Sequence, residues 1–314
     1  MSAAIARPGR ASVIVALNPH DHDFVDTMDG WAVQAGAGDH EVIVVHDGCR
    51  PSLRSEYAAH RWRHPSTPVR IVDSDAPGRA ASNNAGVRAS RGDLLVFVAD
   101  DFRPSRGLVA AHRAFHALIG RPAVGVGPGY FTEALRDVPF LRWFEDTGQI
   151  FGVVFPLAGV EWSGDFYYVG NASMPRAVYD AVGGYDETYR HDLFDDWEFA
   201  QRLFAAGLAV RFVPRAIAWH DHDVTLEERA LAMRRLGACV AARERAMPGP
   251  PPWVELTRLS LRDLEGDLRE ARRRVDAPAS IAAWRHLWSA ELNLAFVRGY
   301  RDERYGSASR LVAG

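Results

Sequence analysis

Short apolar runs alternate with amphipathic stretches through the first hundred residues. Ser12–Leu17 (SVIVAL) is β-branched and continuous, the pattern of a strand buried on both faces. A polar turn, Asn18–Asp23, leads into a helical stretch around Phe24–Ala35. Glu41–Val45 (EVIVV) reads as a second buried strand, ended by His46-Asp47-Gly48. Leu53–Trp62 has a helical pattern, Val69–Val72 that of a third strand, Gly78–Ala89 of a helix and Leu94–Val98 of a fourth strand. This alternation predicts an α/β fold: an open, mostly parallel, twisted sheet flanked by helices.

From Gly125 to His220 the pattern is less regular and rich in glycine and aromatic residues. Ala177–Val182 and Asp196–Ala206 suit helices, and Val210–Val213 a short strand. From Thr225 onward the chain is Arg/Glu-rich and helical, broken by Pro248–Pro252 (PGPPP). Val254–Val275 then carries Leu259, Leu264, Leu268 and Val275 at roughly helical spacing, and a last helix puts Ile281, Trp284, Trp288 and Leu292 on one face. Trp284 and Trp288 suit a helix–helix or homodimer contact, with a membrane surface or a lipid as the alternative. The expected organisation is one α/β domain over 1–224, with halves at about 11–105 and 106–224, and a C-terminal helical extension over 225–314. No internal repeat is present.

Composition narrows the function classes. With 314 residues, 47% hydrophobic and 25% charged, the chain can bury a sizeable core. A net charge of −3 gives no basic field for nucleic acid or anionic lipid. All 37 basic residues are arginine, which hints at a GC-rich bacterial genome and also suits bidentate phosphate recognition. Cys49 and Cys239, the only cysteines, form neither a disulfide framework nor a cysteine metal site. The first ten residues lack a signal-peptide core, and no apolar run reaches membrane-spanning length. The default location is the cytoplasm, with peripheral contact to the inner membrane face as the variant.

Open parallel sheets bind ligands beyond the carboxyl ends of their strands. Asn18, Asp47 and the pair Asp100-Asp101 stand at three such ends, directing attention to one site. Adjacent carboxylates repel unless a cation offsets them, and a divalent metal would do so while bridging to phosphate. Alone, the pair also suits a turn or helix cap, and Asp47-Gly48 a turn. Gly78-Arg79-Ala-Ala-Ser-Asn-Asn84-Ala-Gly86 opens a helix with small residues, and Arg79 there can reach a phosphate or remain solvated. Trp219-His220-Asp221-His222-Asp223 offers metal ligands or a solvated loop.

In this order the segments SVIVALN, VIVVHDG, GRAASNNAG and RGDLLVFVADD resemble the nucleotide-binding half of family-2 glycosyltransferases of the GT-A fold. The second half extends the likeness: Gly170-Asn171, Gly183-Gly184-Tyr185-Asp186-Glu187, Asp195-Asp196-Trp197-Glu198, and Pro214-Arg-Ala216 followed by His220. The likeness spans about residues 11–223. It implies an inverting transferase that uses a nucleotide diphosphate sugar, with a UDP-sugar the expected donor and a glycan, lipid-linked or small-molecule acceptor. Asp47 would hold the base, Asp100 the ribose, and Ala16, Asn18 and Arg79 the rest of the nucleotide. Asp101 and His220 would bind Mn²⁺ or Mg²⁺, with His222 the rival and only one of the two imidazoles expected to face the metal. Asp196 would be the general base, Asp195 its neighbour orienting acceptor or loop, and Asn171 and Trp197 would border the donor and acceptor sugars.

The chain departs from the family pattern at His46, Cys49, Asn83, Ala99 and Asp195, each standing where another residue is usual. A sugar nucleotidyltransferase is the first alternative, although Asn18-Pro19-His20-Asp21 replaces the Gly-rich basic loop it needs after the first strand. A non-catalytic nucleotide-sugar-binding subunit is the second. Trp162, Phe166, Tyr167 and Tyr168 read either as acceptor stacking or as loop packing.

Overall fold

The computed structural model describes residues 9–17, 24–47, 51–60, 67–150, 167–188, 194–246, 254–276 and 279–306. Asn18, Cys49, Trp62, Trp162, Phe166 and the Pro248–Pro252 cluster lie outside them. The described chain divides into two compact units, one of residues 1–137 and 144–222, the other of 138–143 and 223–314.

In the first unit, strands β1 (Ala11–Ala16), β2 (His40–His46), β3 (Val69–Asp73) and β4 (Leu94–Ala99) alternate with helices α1 (Phe24–Ala32), α2 (Leu53–Ala59) and α3 (Arg79–Ala89). Then follow β5 (Phe102–Pro104), α4 (Leu108–Ile119), β6 (Val124–Val126), β7 (Gly129–Phe131) and α5 (Glu133–Arg136). Helix α6 (Pro139–Asp146) runs from the second unit's segment into the first. The remainder comprises β8 (Asn171–Pro175), α7 (Arg176–Val182), α8 (Asp195–Ala205), β9 (Val210–Phe212) and β10 (Ala218–His220).

The main sheet has the order β3-β2-β1-β4-β8-β6-β9, and β5-β10-β7 form a small second sheet. β3, β2, β1 and β4 are mutually parallel, as the β-branched runs require, and β8 enters antiparallel to both β4 and β6. Strands β1, β2 and β4 are buried along almost their whole length, so both faces must be covered. One core cluster joins Ile14, Ile43, Val45 and Phe97 to Tyr179, Tyr185 and Phe199; another joins Val13, Val15, Val42 and Val96 to Met28 and Trp31. The small residues of α3 explain its closeness to the sheet. A Cβ at Gly86 would lie 2.5 Å from Ile14 Cγ2 and 3.0 Å from Val45 Cγ2.

The second unit contains α9 (Leu226–Ala246), α10 (Val254–Thr257), α11 (Leu261–Val275) and α12 (Ile281–Tyr305). Helices α9 and α12 touch through glycines: a Cβ at Gly237 or Gly299 would collide with the backbone of Phe296 or Arg234. The expected continuous helix over 254–275 is interrupted, because Ser260 is extended and stands at the start of α11. Leu259 is therefore exposed while Leu264 and Leu268 are buried. The stripe expected on the last helix also splits. Trp288 and Leu292 are buried, Trp288 against Phe140 and Trp143, whereas Ile281 and Trp284 are exposed. Among the described residues no helix is long and apolar enough to cross a membrane.

Candidate active site

The chain reverses just after β4, and this brings an acid to two imidazoles. β5 pairs antiparallel with β10, setting Phe102 opposite His220, and the Asp221 amide donates to the Asp101 carbonyl at 3.0 Å. Asp101 therefore lies beside the end of β10. His220 Nε2 is 3.1 Å from Asp101 Oδ2, and His222 Nδ1 is 3.9 Å from the same oxygen. One ligand atom from each of the three residues fits within a 4.8 Å span, enough to surround a single cation. The expectation that only one imidazole would face this point is corrected: side chains two positions apart in extended chain share a face. Phe102 and Phe131 flank the His220 ring edge-on, with centroids at 5.5 and 5.3 Å, and so fix its plane. One carboxylate and two imidazoles are a set of side chains that could hold a divalent cation.

A second acidic pair opens α8. The residue flanking the helix is Phe194, so Asp195 and Asp196 occupy its first turn, where carboxylates complement the helix dipole. Asp195 is buried, and its carboxylate takes two bonds from Arg79: Nε to Oδ2 at 3.1 Å and Nη2 to Oδ1 at 2.5 Å. Arg79 Nη2 also lies 3.1 Å from Asp196 Oδ2, which accepts the Val169 amide at 3.2 Å. Arg79, expected at the nucleotide, thus has its guanidinium on the acidic pair in this structure. Val169 precedes Gly170, whose carbonyl accepts the Ala99 amide at 3.1 Å. Two hydrogen bonds and a short stretch of backbone therefore tie Asp196 to the residue that precedes Asp100-Asp101. Tyr167 and Tyr185 share a hydroxyl contact of 2.6 Å nearby. Burial pushes both phenols well up, and the Asp196 charge adds to this. Trp197 is buried next to Phe194, with ring centroids 5.3 Å apart.

Ala16 closes β1, and Asp47 follows β2. Asp47 Oδ2 accepts the Gly78 amide at 3.3 Å, which links the β2 end to the start of α3. Asp100 is fully buried at the end of β4. Asn84 fastens the Gly-Gly-Tyr-Asp-Glu segment to α3. Its Nδ2 donates to the Tyr185 carbonyl at 2.9 Å and to Glu187 Oε1 at 2.7 Å, while its Oδ1 accepts the Tyr185 amide at 2.9 Å.

Asn171, expected beside the sugars, lies in the interior. Its side chain is fully buried, donating to the Pro128 carbonyl at 3.1 Å and the Ala216 carbonyl at 2.6 Å, while Oδ1 faces His112 Nε2 at 2.9 Å. The amide makes these hydrogen bonds inside the protein. Because Nδ2 gives both its hydrogens to carbonyls, Oδ1 must accept, so His112 carries its proton on Nε2. His112 Nδ1 then accepts from the Ser173 hydroxyl at 2.8 Å, and Ser173 accepts from His116 Nε2 at 2.9 Å. Burial lowers His112 to about 4. His116 falls to about 3 through burial and the neighbouring His112. This polar chain was not singled out from sequence, although two histidines four apart in the mostly apolar stretch LVAAHRAFHALI were its signal.

No family model matches the chain. It is 30% identical over 202 residues to the pre-mycofactocin glycosyltransferases of two Mycobacterium tuberculosis strains, CDC 1551 / Oshkosh and H37Rv. That similarity covers 60% of this chain but 38% of theirs, so the chain spans well under half the length of these curated relatives. Among solved structures, the mannosyltransferase PcManGT of Pyrobaculum calidifontis, in complex with GDP-Man and Mn²⁺, superposes with a TM-score of 0.60 at 17% identity, covering 93% of this chain and 87% of that one. Residues 1–349 of TarS from S. aureus, in complex with UDP-GlcNAc, give a TM-score of 0.51 at 12% identity, with coverages of 95% and 92%. The strand order, the helices on both faces and these likenesses agree: the chain has the GT-A fold of glycosyltransferases.

Proposed function

We propose that this protein is an inverting, metal-dependent glycosyltransferase of family 2 that moves a sugar from a nucleotide diphosphate donor, with UDP as the nucleotide, to an acceptor hydroxyl. The observation that carries the reading is the tie from Asp196 through Val169 and Gly170 to Ala99, which brings the first turn of α8 to the end of β4. Carboxylates almost a hundred positions apart in sequence thereby border one region. The Mycobacterium relatives are named as glycosyltransferases, and the two solved neighbours bind nucleotide sugars, which supports the donor class.

In this reading Asp47 receives the base and Asp100 the ribose, with Ala16 and, from outside the described residues, Asn18 completing the nucleotide contacts. Asp101, His220 and His222 would hold the divalent cation, which supplies positive charge to the departing diphosphate. Asp196 accepts the proton of the acceptor hydroxyl as that oxygen forms its bond to the anomeric carbon. The bond from that carbon to the diphosphate oxygen breaks on the opposite face, so the configuration inverts. Trp197 borders the sugar side of the same helix turn. The reaction domain covers residues 1–224, with the helices of 225–314 as an extension.

Incubation with Mn²⁺ and UDP-GlcNAc or GDP-mannose tests the reading by the released product. Nucleotide diphosphate is expected. Pyrophosphate formed from a nucleoside triphosphate and a sugar phosphate would instead establish a nucleotidyltransferase, and binding without turnover a donor-binding subunit.

A further inference from the structure

Arg79 is the first residue of α3, and it projects from a turn that its own sequence shapes. Gly78 has φ 101°, a backbone conformation that side chains disfavour, and its amide is held by Asp47. The guanidinium then spans to α8, more than a hundred positions later. Its side chain is 18% exposed against 2% for Asp195 and 14% for Asp196. A carboxylate buried as deeply as Asp195 is costly without a paired cation, and the two-point contact from Nε and Nη2 is the strongest form of that pairing. The same Nη2 reaches Asp196 Oδ2. Asp195 in turn accepts the Asp196 amide at 2.9 Å, so the two acids, the helix start and the guanidinium are locked as one unit.

We propose that Arg79 is a positioning residue for the chemical step: it orients the carboxylate of Asp196 and fixes the α8 start, and it does not grip the donor diphosphate. This rests on Asp196 being the base. The geometry favours it over a phosphate contact because three polar contacts of the guanidinium already converge on Asp195 and Asp196. A phosphate that took the Nε–Nη2 edge of this arginine would leave the Asp195 charge buried and unpaired. A lysine, a point charge without the planar fork, would neutralise the pair but not orient it.

The separation of turnover from donor binding tests the proposal. Wild type, Arg79→Gln, Arg79→Lys and Asp196→Asn are compared for nucleotide release from UDP-GlcNAc and GDP-mannose with Mn²⁺, and for affinity of UDP or GDP with Mn²⁺ by calorimetry. Arg79→Gln is expected to lower kcat by about 10- to 100-fold, the scale of a displaced catalytic group, while nucleotide affinity and donor KM stay within about threefold. Arg79→Lys should recover only part of kcat. Loss of nucleotide affinity by tenfold or more with kcat kept would overturn the proposal and return Arg79 to the phosphate. Wild-type kcat in Arg79→Gln, with Asp196→Asn inactive, would sink the proposal alone, whereas full turnover in Asp196→Asn would sink the underlying reading of the base. Should Arg79→Gln fail to fold, the double variant Arg79→Gln/Asp195→Asn removes the buried charge and is read in the same way. If wild type releases no nucleotide from either donor, the site reading fails for these donors, and the affinity arm still decides whether Arg79 holds a nucleotide.

Discussion

Lowering the pH from 7.5 to 5 attacks the buried chain Asn171–His112–Ser173–His116 at a defined point. Both imidazoles are neutral in the fold, with His112 lowered to about 4 and His116 to about 3. In the unfolded chain they return to about 6.5, so between these values the unfolded state binds more protons. Stability is therefore fully present above about pH 6.5 and is lost as the pH falls toward the folded values. At pH 5 each histidine costs about 2 kcal/mol relative to pH 7.5, set almost wholly by the unfolded titration. Together they remove about 4 kcal/mol, a large part of the stability of an ordinary domain. Urea unfolding by circular dichroism at both pH values reads the loss. His116→Gln is expected to cost about 1–2 kcal/mol at pH 7.5 through altered hydrogen bonding, yet to lose about 2 kcal/mol less than wild type on acidification. Comparing slopes cancels groups elsewhere, including those of the second unit. An identical pH slope in wild type and His116→Gln would refute the reasoning.

Three further outcomes follow from particular contacts. Gly86→Ala forces a Cβ against Ile14 and Val45 and is expected to cost about 1–3 kcal/mol, read as a lower urea midpoint; no change would mean that α3 can move off the sheet. His222→Ala should weaken Mn²⁺ binding by about 10-fold in electron paramagnetic resonance titrations; unchanged affinity would restrict the ligand set to Asp101 and His220. Wild type should prefer Mn²⁺ to Mg²⁺ in the same titrations, because two of the three donors are imidazoles, and equal affinity would contradict that donor set.

The parts legible in sequence share a physical cause. β1, β2 and β4 are buried on both faces, which demands continuous β-branched runs, and such runs stand out. Alternation of these runs with helices then forces parallel pairing, and the acids at their ends mark the ligand side. β5, β6, β7 and β10 have three residues each, too short for any period to register. Yet β5 and β10 bring Asp101 to His220, so the meeting of these residues was legible only through the likeness to a family. The partners of Arg79 and Asn171 were hidden for another reason. These two residue types suit phosphate and sugar, but partners more than forty positions away, Asp195 for one and the Ala216 carbonyl for the other, use those groups inside the protein. Local pattern carries no trace of such partners. The Ser260 break within 254–275 was hidden because serine disturbs a helical pattern only slightly.

The account turns on Asp196 acting beside the Asp101 centre as the group that takes the acceptor proton. Steady-state nucleotide diphosphate release with Mn²⁺ in wild type, Asp196→Asn and Asp101→Ala, paired with nucleotide affinity, tests this most directly. Asp196→Asn is expected to lose about 10²- to 10⁴-fold in kcat while Mn²⁺-dependent nucleotide binding persists, and Asp101→Ala to lose that binding itself. Wild-type turnover in Asp196→Asn, or undiminished Mn²⁺-dependent binding in Asp101→Ala, would contradict it.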